Sequence, residues 1–157
     1  MAKPQFVYVT YIRSTPEKVW AALTDPQMVR KFWFGMDVAC DFKAGSTWSL
    51  SFEDGRVADT GEILEATPPR RLVIRWRNEF RPELKAEGYS RCTMLVEEAE
   101  YYPGRGGKAV KLMIEHALEG EGGKFIEAVS GGWPKVISNL KSLLETGSAV
   151  LQDPYPN

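Results

Sequence analysis

Most of the chain alternates between apolar and polar residues, which is the pattern of β-strands that bury one face. Residues 6–13 are rich in β-branched and aromatic side chains and predict the first strand, with Tyr8 and Ile12 on the same face. Hairpin-sized gaps between the later strands predict an antiparallel sheet. The six later strands are predicted over 37–42, 47–52, 57–66, 71–78, 90–98 and 110–118.

Two short helices are predicted directly after the first strand. Thr15 precedes Pro16, and Asp25 precedes Pro26. A capping side chain followed by proline is typical of a helix start, because the first helical N–H has no partner inside the helix.

A longer helix is predicted near the end of the chain. Apolar residues from Trp133 to Leu144 recur every three to four positions, and this stripe is wide enough to pack on a sheet. Gly147 is expected to end the helix. Its start is open between two alternatives: the Gly-Gly-Trp-Pro run at 131–134 favours a start there, whereas residues 124–130 could form a kinked first segment.

The order of elements therefore predicts an α+β fold. The chain has 157 residues, which fits one domain. We expect a single domain over residues 1–147 and a loose C-terminal tail over 148–157.

Charge and composition exclude several classes of protein. There are 20 basic and 21 acidic residues, which argues against a nucleic-acid binder. No apolar run is long enough for membrane insertion, and the N-terminus lacks the apolar core of a signal peptide, so we expect a cytoplasmic protein. Cys40, Cys92 and the single His116 are too few for a zinc site, so no metal or other cofactor is predicted.

Inward-facing aromatic residues are the main signal for a binding site. Trp48, Trp76 and Trp133 fall on faces predicted to be buried, where they suit an apolar ligand site but could equally form core. Cys92 is expected to be a core thiol. The predicted ligand-binding residues are Tyr8, Trp48, Trp76, Cys92, Met94, Ile114, His116 and Trp133.

His116 is the candidate catalytic residue. It lies near the end of a predicted strand, on the same face as Ile114, where an imidazole needs a partner or stays neutral. It could donate a hydrogen bond or a proton to a ligand, or it could be a core histidine bonded to a backbone carbonyl. Glu62 and Glu65 are expected on opposite faces of one strand, and whichever points inward is a second candidate polar group.

Several short motifs resemble one known family. They read PEKVWAALTDP at 16–26, GEILEA at 61–66 followed by PPRRL at 68–72, and GWP at 132–134. Together they are similar to the activator of heat-shock protein 90 ATPase homologue family, within the START-like superfamily of helix-grip folds. The resemblance implies a seven-stranded antiparallel curved sheet around the C-terminal helix, with a cavity between them. Two departures, at 43–46 and 78–89, are expected to reshape the mouth of that cavity.

Three functions stay open on this basis. The first is binding of a small, largely apolar molecule in the cavity. The second is a cofactor-free, polyketide-cyclase-like enzyme that uses His116. The third is a co-chaperone-like module that binds a chaperone or another protein through the face carrying Arg75 and Arg77. The exposed sheet edges are compatible with a monomer or a homodimer.

Overall fold

A computed structural model describes residues 5–102 and 104–151. Seven antiparallel strands form one curved sheet in the order β1-β7-β6-β5-β4-β3-β2. The strands are β1 Gln5–Ile12, β2 Asp37–Cys40, β3 Thr47–Ser51, β4 Val57–Thr67, β5 Arg71–Asn78, β6 Ser90–Tyr102 and β7 Gly107–Leu118. The helices are α1 Pro16–Thr24, α2 Pro26–Phe32, α3 Pro82–Lys85 and α4 Lys124–Thr146. The predicted α+β helix-grip fold is confirmed.

The two short helices begin as predicted. Thr15 caps α1 by accepting a hydrogen bond from the backbone N–H of Lys18, and Asp25 caps α2 by accepting one from the N–H of Gln27. The core lies between the inner face of the sheet and the three longer helices α1, α2 and α4.

Helix α4 is one continuous helix that includes Pro134, so residues 124–130 belong to it. The N–H groups of Lys124 and Phe125 donate to the Glu87 carboxylate at 3.1 and 2.9 Å. A carboxylate is favourable at a helix N-terminus, and this one stabilises a start that has no side-chain cap of its own. Gly147 ends the helix with a φ of 90°, as predicted.

Strands β6 and β7 extend beyond the predicted ranges 90–98 and 110–118, because β6 continues to Tyr102 and β7 begins at Gly107. Tyr102 pairs with Gly107 across the ribbon. The ring of Tyr101 lies over Gly107, where an added Cβ would meet the ring at 2.5 Å. The contact between Tyr101 and Gly107 supports pairing of β6 with β7 in a region where the pattern of apolar residues does not predict strands.

A β-bulge in β4 corrects the expectation for Glu62 and Glu65. Their pairing partners are Arg75 and Val73, which share the outer face, and Leu64 is the extra residue between them. Both glutamates therefore lie on the outer face. A bulge reverses the alternation that the prediction assumed.

The end of the chain is described only in part. Residues 152–157 of the predicted tail lie outside the described residues. The backbone N–H of Leu151 donates to the Asn139 side chain at 2.6 Å. The domain boundary at residue 147 stays a prediction. Within residues 5–102 and 104–151, no helix is long and apolar enough to cross a membrane.

Candidate functional site

A cavity of about 280 Å³ lies between the N-terminal half of α4 and the inner face of the sheet. Ala128 and Gly132 are small residues one turn apart on the stripe of α4 that faces the sheet. They do not fill the region between the helix and the sheet, and the cavity lies there. An added Cβ at Gly132 would meet nothing within 4 Å. The lining residues are Trp33, Asp59, Trp76, Asn78, Phe80, Arg81, Leu84, Phe125, Ala128, Val129, Gly132, Trp133 and Val136.

Three indole rings form the inner wall of this cavity. The ring centroids of Trp33, Trp76 and Trp133 are 5.2 to 5.9 Å apart in each pair. Phe80 lies at the mouth and is 46% exposed. The wall is therefore apolar and aromatic, and Trp76 and Trp133 are each only 3% exposed within it.

Asp59 is the carboxylate of the cavity. Its Oδ1 accepts hydrogen bonds from Trp76 Nε1 at 2.9 Å and from Asn78 Nδ2 at 3.4 Å. Burial raises its pKa from 3.8 to about 6, and these two hydrogen bonds partly oppose the rise. Asp59 is thus ionised at neutral pH in a site that disfavours its charge.

Asp59 lies next to a second β-bulge in β4. Ser51 pairs with Val57 and Leu50 pairs with Asp59, so Ala58 is the extra residue. The sequence analysis missed Asp59. The signal that could have found it is that Asp59, Gly61 and Ile63 share one face by the period of two, with buried Ile63 marking that face as inward.

His116 lies directly behind the cavity wall, fully buried, with its ring 5.1 Å from the rings of both Trp76 and Phe125. Trp133 Nε1 donates to His116 Nδ1 at 3.2 Å. The proton of the neutral ring is then on Nε2, which donates to Ser90 Oγ at 2.6 Å. The Ser90 hydroxyl in turn donates to the Trp76 carbonyl at 3.2 Å.

This chain of hydrogen bonds uses both nitrogens of His116 within the protein. Burial lowers the pKa of His116 from 6.5 to about 3, so the ring is neutral at physiological pH. His116 is bonded to Ser90 through one nitrogen and to Trp133 through the other. These bonds hold the Trp133 indole against the sheet, and this indole forms one wall of the cavity.

The structure brings only two of the eight predicted ligand-binding residues, Trp76 and Trp133, to the surface of this cavity. Trp48 and Met94 border a second space of about 20 Å³, which has room for about one water molecule. The other predicted residues line neither space; they are Tyr8, Cys92, Ile114 and His116. Complete burial raises the pKa of the Cys92 thiol.

No metal centre is formed by the described part of the chain, since no three His, Cys, Asp or Glu side chains cluster there. The arrangement can instead enclose an organic molecule against aromatic rings, with one carboxylate at its side.

A curved antiparallel sheet around a C-terminal helix, with a cavity between them, defines a helix-grip domain of the START-like type. The chain belongs to the family described as Activator of Hsp90 ATPase homolog 1-like protein, which matches residues 13–145. No curated protein matches the chain.

Solved structures share this fold. The Aha1 dimer from Colwellia psychrerythraea is 19% identical, with a TM-score of 0.71 over 92% of this chain and 98% of that one. An HSP90 activator from Plasmodium falciparum is 23% identical, with a TM-score of 0.67 over 89% of this chain and 95% of that one. CalU16 from Micromonospora echinospora is 22% identical, with a TM-score of 0.67 over 91% of this chain and 77% of that one. At these identities the likeness shows the fold alone.

Proposed function

We propose that the protein binds a small, largely apolar molecule in the cavity between α4 and the sheet. The observation that carries this proposal is an open pocket of about 280 Å³ between the N-terminal half of α4 and the sheet. Three indole rings and one half-buried carboxylate border the space. Apolar walls with a few placed polar groups are the usual composition of a small-molecule site.

The volume limits the ligand. Typical ligand sites start at about 300 Å³, and this cavity lies just below that value. A single substituted ring or a short branched chain is therefore a better fit than a steroid or a long acyl chain. The exposed ring of Phe80 marks the entrance.

Two neighbouring glycines of α4 give a matched test. Gly132 lines the cavity, whereas Gly131 is exposed, and an added Cβ meets nothing within 4 Å at either position. Leucine at either position raises helix propensity, but only Gly132→Leu fills the cavity. Binding of benzyl alcohol, followed by NMR titration, should survive in Gly131→Leu and disappear in Gly132→Leu. Equal binding by both variants, or no binding by the unmodified protein, would contradict the proposal.

The catalytic role of His116 stays a prediction. The hydrogen-bond chain gives it no support, because neither nitrogen is free to exchange a proton with a ligand. Binding is for this reason preferred over the cyclase-like alternative.

A second candidate function is binding to a chaperone of the Hsp90 type. Membership of the Hsp90-activator-like family and the fold of the Plasmodium falciparum activator support it. The surface predicted for it carries Arg75 and Arg77, which stack on the Tyr89 ring at 3.9 and 4.8 Å. Calorimetry with purified Hsp90 should detect an interaction that an Arg75→Ala, Arg77→Ala double variant weakens. An interaction that is absent, or that the double variant leaves unchanged, would contradict this surface.

A further inference from the structure

We propose that the cavity selects an organic ammonium ion, a primary or quaternary amine on a small aromatic or alkyl group. This inference rests on the proposed function, since it names the chemical class of the ligand in the same cavity. Its basis is a carboxylate with one oxygen unpaired among the described residues, at the side of a cavity lined by aromatic rings.

One oxygen of the Asp59 carboxylate has no hydrogen-bond or ion-pair partner among the described residues. Both hydrogen bonds that this carboxylate accepts go to Oδ1, from Trp76 and Asn78. Among residues 5–102 and 104–151, Oδ2 has no hydrogen-bond donor and no cation within ion-pair distance. A partly desolvated anionic oxygen without a partner is unfavourable, and a ligand donor would relieve it.

A second feature is the balance of charge around the cavity. Arg81 also lines the space, but its guanidinium is paired with Glu83 at 2.8 Å. Glu79, which also raises the pKa of Asp59, is itself paired with Arg77 at 2.7 Å and with Lys85 at 3.1 Å. Asp59 is therefore the cavity carboxylate without a cation partner among the described residues, and its charge attracts a cation and repels an anion.

A third feature is the geometry of the rings. An ammonium group is attracted to the face of an aromatic ring within about 6 Å of its centroid, and tryptophan is the strongest of these rings. Trp33, Trp76 and Trp133 are spaced by 5.2 to 5.9 Å, so these rings pack against one another and a cation would contact the side of the group that borders the cavity. The Trp76 indole also donates to Asp59, which places a ring and the carboxylate side by side.

Neutral and anionic ligands of the same shape fit these features less well. A neutral molecule would leave the charge of Asp59 uncompensated after water is displaced. An anion would add repulsion from Asp59. A cation gains from both the carboxylate and the rings, and the gain is larger in a partly buried site than in water.

Calorimetry with three ligands of one shape tests the inference at neutral pH: benzylammonium, benzyl alcohol and benzoate. Benzylammonium should bind about tenfold or more tightly than benzyl alcohol, as expected for one charge-assisted hydrogen bond. Benzoate should bind most weakly. Asp59→Asn should remove the preference for benzylammonium and leave benzyl alcohol within about twofold.

Asp54→Asn is the matched control. Asp54 lies in the turn of the same β3–β4 hairpin, is exposed and is paired with Arg56. This variant removes one negative charge outside the cavity and should keep the preference for benzylammonium intact.

A second measurement needs no variant. Benzyltrimethylammonium has no titrating group, so its affinity for the unmodified protein should fall as pH drops below about 6 and Asp59 takes up a proton. Two titratable groups near Asp59 do not change protonation in this range, because Glu79 has a pKa of about 2 and His116 has a pKa of about 3.

The outcomes separate this inference from the proposed function. Equal affinities for benzylammonium and benzyl alcohol, both lost in Gly132→Leu, would overturn the ammonium preference and leave the binding function standing. The absence of binding by any of the ligands would overturn both. A preference that persists in Asp59→Asn, or an affinity for benzyltrimethylammonium that does not change with pH, would overturn the role of the carboxylate.

Discussion

Acidification should destabilise the protein through His116, and the size of this effect follows from its burial. The pKa of His116 is about 3 in the folded protein against 6.5 for the exposed side chain. Below pH 6.5 the unfolded chain takes up a proton that the folded protein does not. The free energy of unfolding therefore decreases as the pH is lowered. At pH 5 the gap between pH and the unfolded pKa is about 1.5 units, which corresponds to about 2 kcal/mol.

The assay is urea unfolding at about pH 7.5 and pH 5, followed by tryptophan fluorescence. His116→Gln keeps a donor and an acceptor for Ser90 and Trp133 but has no titrating group. The free energy of unfolding of the unmodified protein should fall by about 2 kcal/mol more than that of the variant over this range. Other titrating groups, including Asp59, are common to both proteins and cancel in the difference. Equal pH dependence would refute the reasoning and would mean that folded His116 accepts protons.

Three further substitutions test other parts of the structure by urea unfolding. Asp59→Asn should stabilise the unliganded protein by about 3 kcal/mol at neutral pH, because the raised pKa of Asp59 costs stability above its unfolded value of 3.8. The gain should disappear toward pH 4, and a destabilised variant at neutral pH would contradict this. Gly61→Ala should destabilise the protein by about 3 kcal/mol or more, since its Cβ would lie 1.6 Å from the Arg75 carbonyl oxygen. Gly131→Ala, at an exposed position, should instead stabilise the protein by up to about 1 kcal/mol. Similar effects at both glycines would count against the close approach of Gly61 to the Arg75 backbone. Glu87→Ala should cost about 1 kcal/mol by removing the acceptor at the start of α4, and a neutral result would show that α4 does not depend on it.

The order and type of the main elements were predictable because local signals agree. Cap-then-proline pairs fixed the starts of α1 and α2, and the alternation around Trp76 fixed β5 from Arg71 to Asn78. The start of α4 was not predictable, since its stabilising carboxylate, Glu87, lies 37 residues earlier in the chain than Lys124.

The site was less predictable than the fold, because tertiary contacts form it. The period of two places Asp59 on the same face as buried Ile63, but a strand pattern does not show that a cavity lies beside that face. The partners of His116 come from two other elements, Ser90 on β6 and Trp133 on α4. Trp76 and Trp133 were predicted as ligand-binding residues, a role that stays a prediction.

The most direct test of the central claim is a titration of the protein with benzylammonium, monitored by the indole N–H signals in NMR. Trp76 and Trp133 line the cavity, and their indole N–H groups bond to Asp59 and His116. Trp20 lies on α1 and does not line it. The account predicts saturable shifts of the Trp76 and Trp133 signals with the Trp20 signal unchanged. Signals that do not move, or that all move equally, would contradict it.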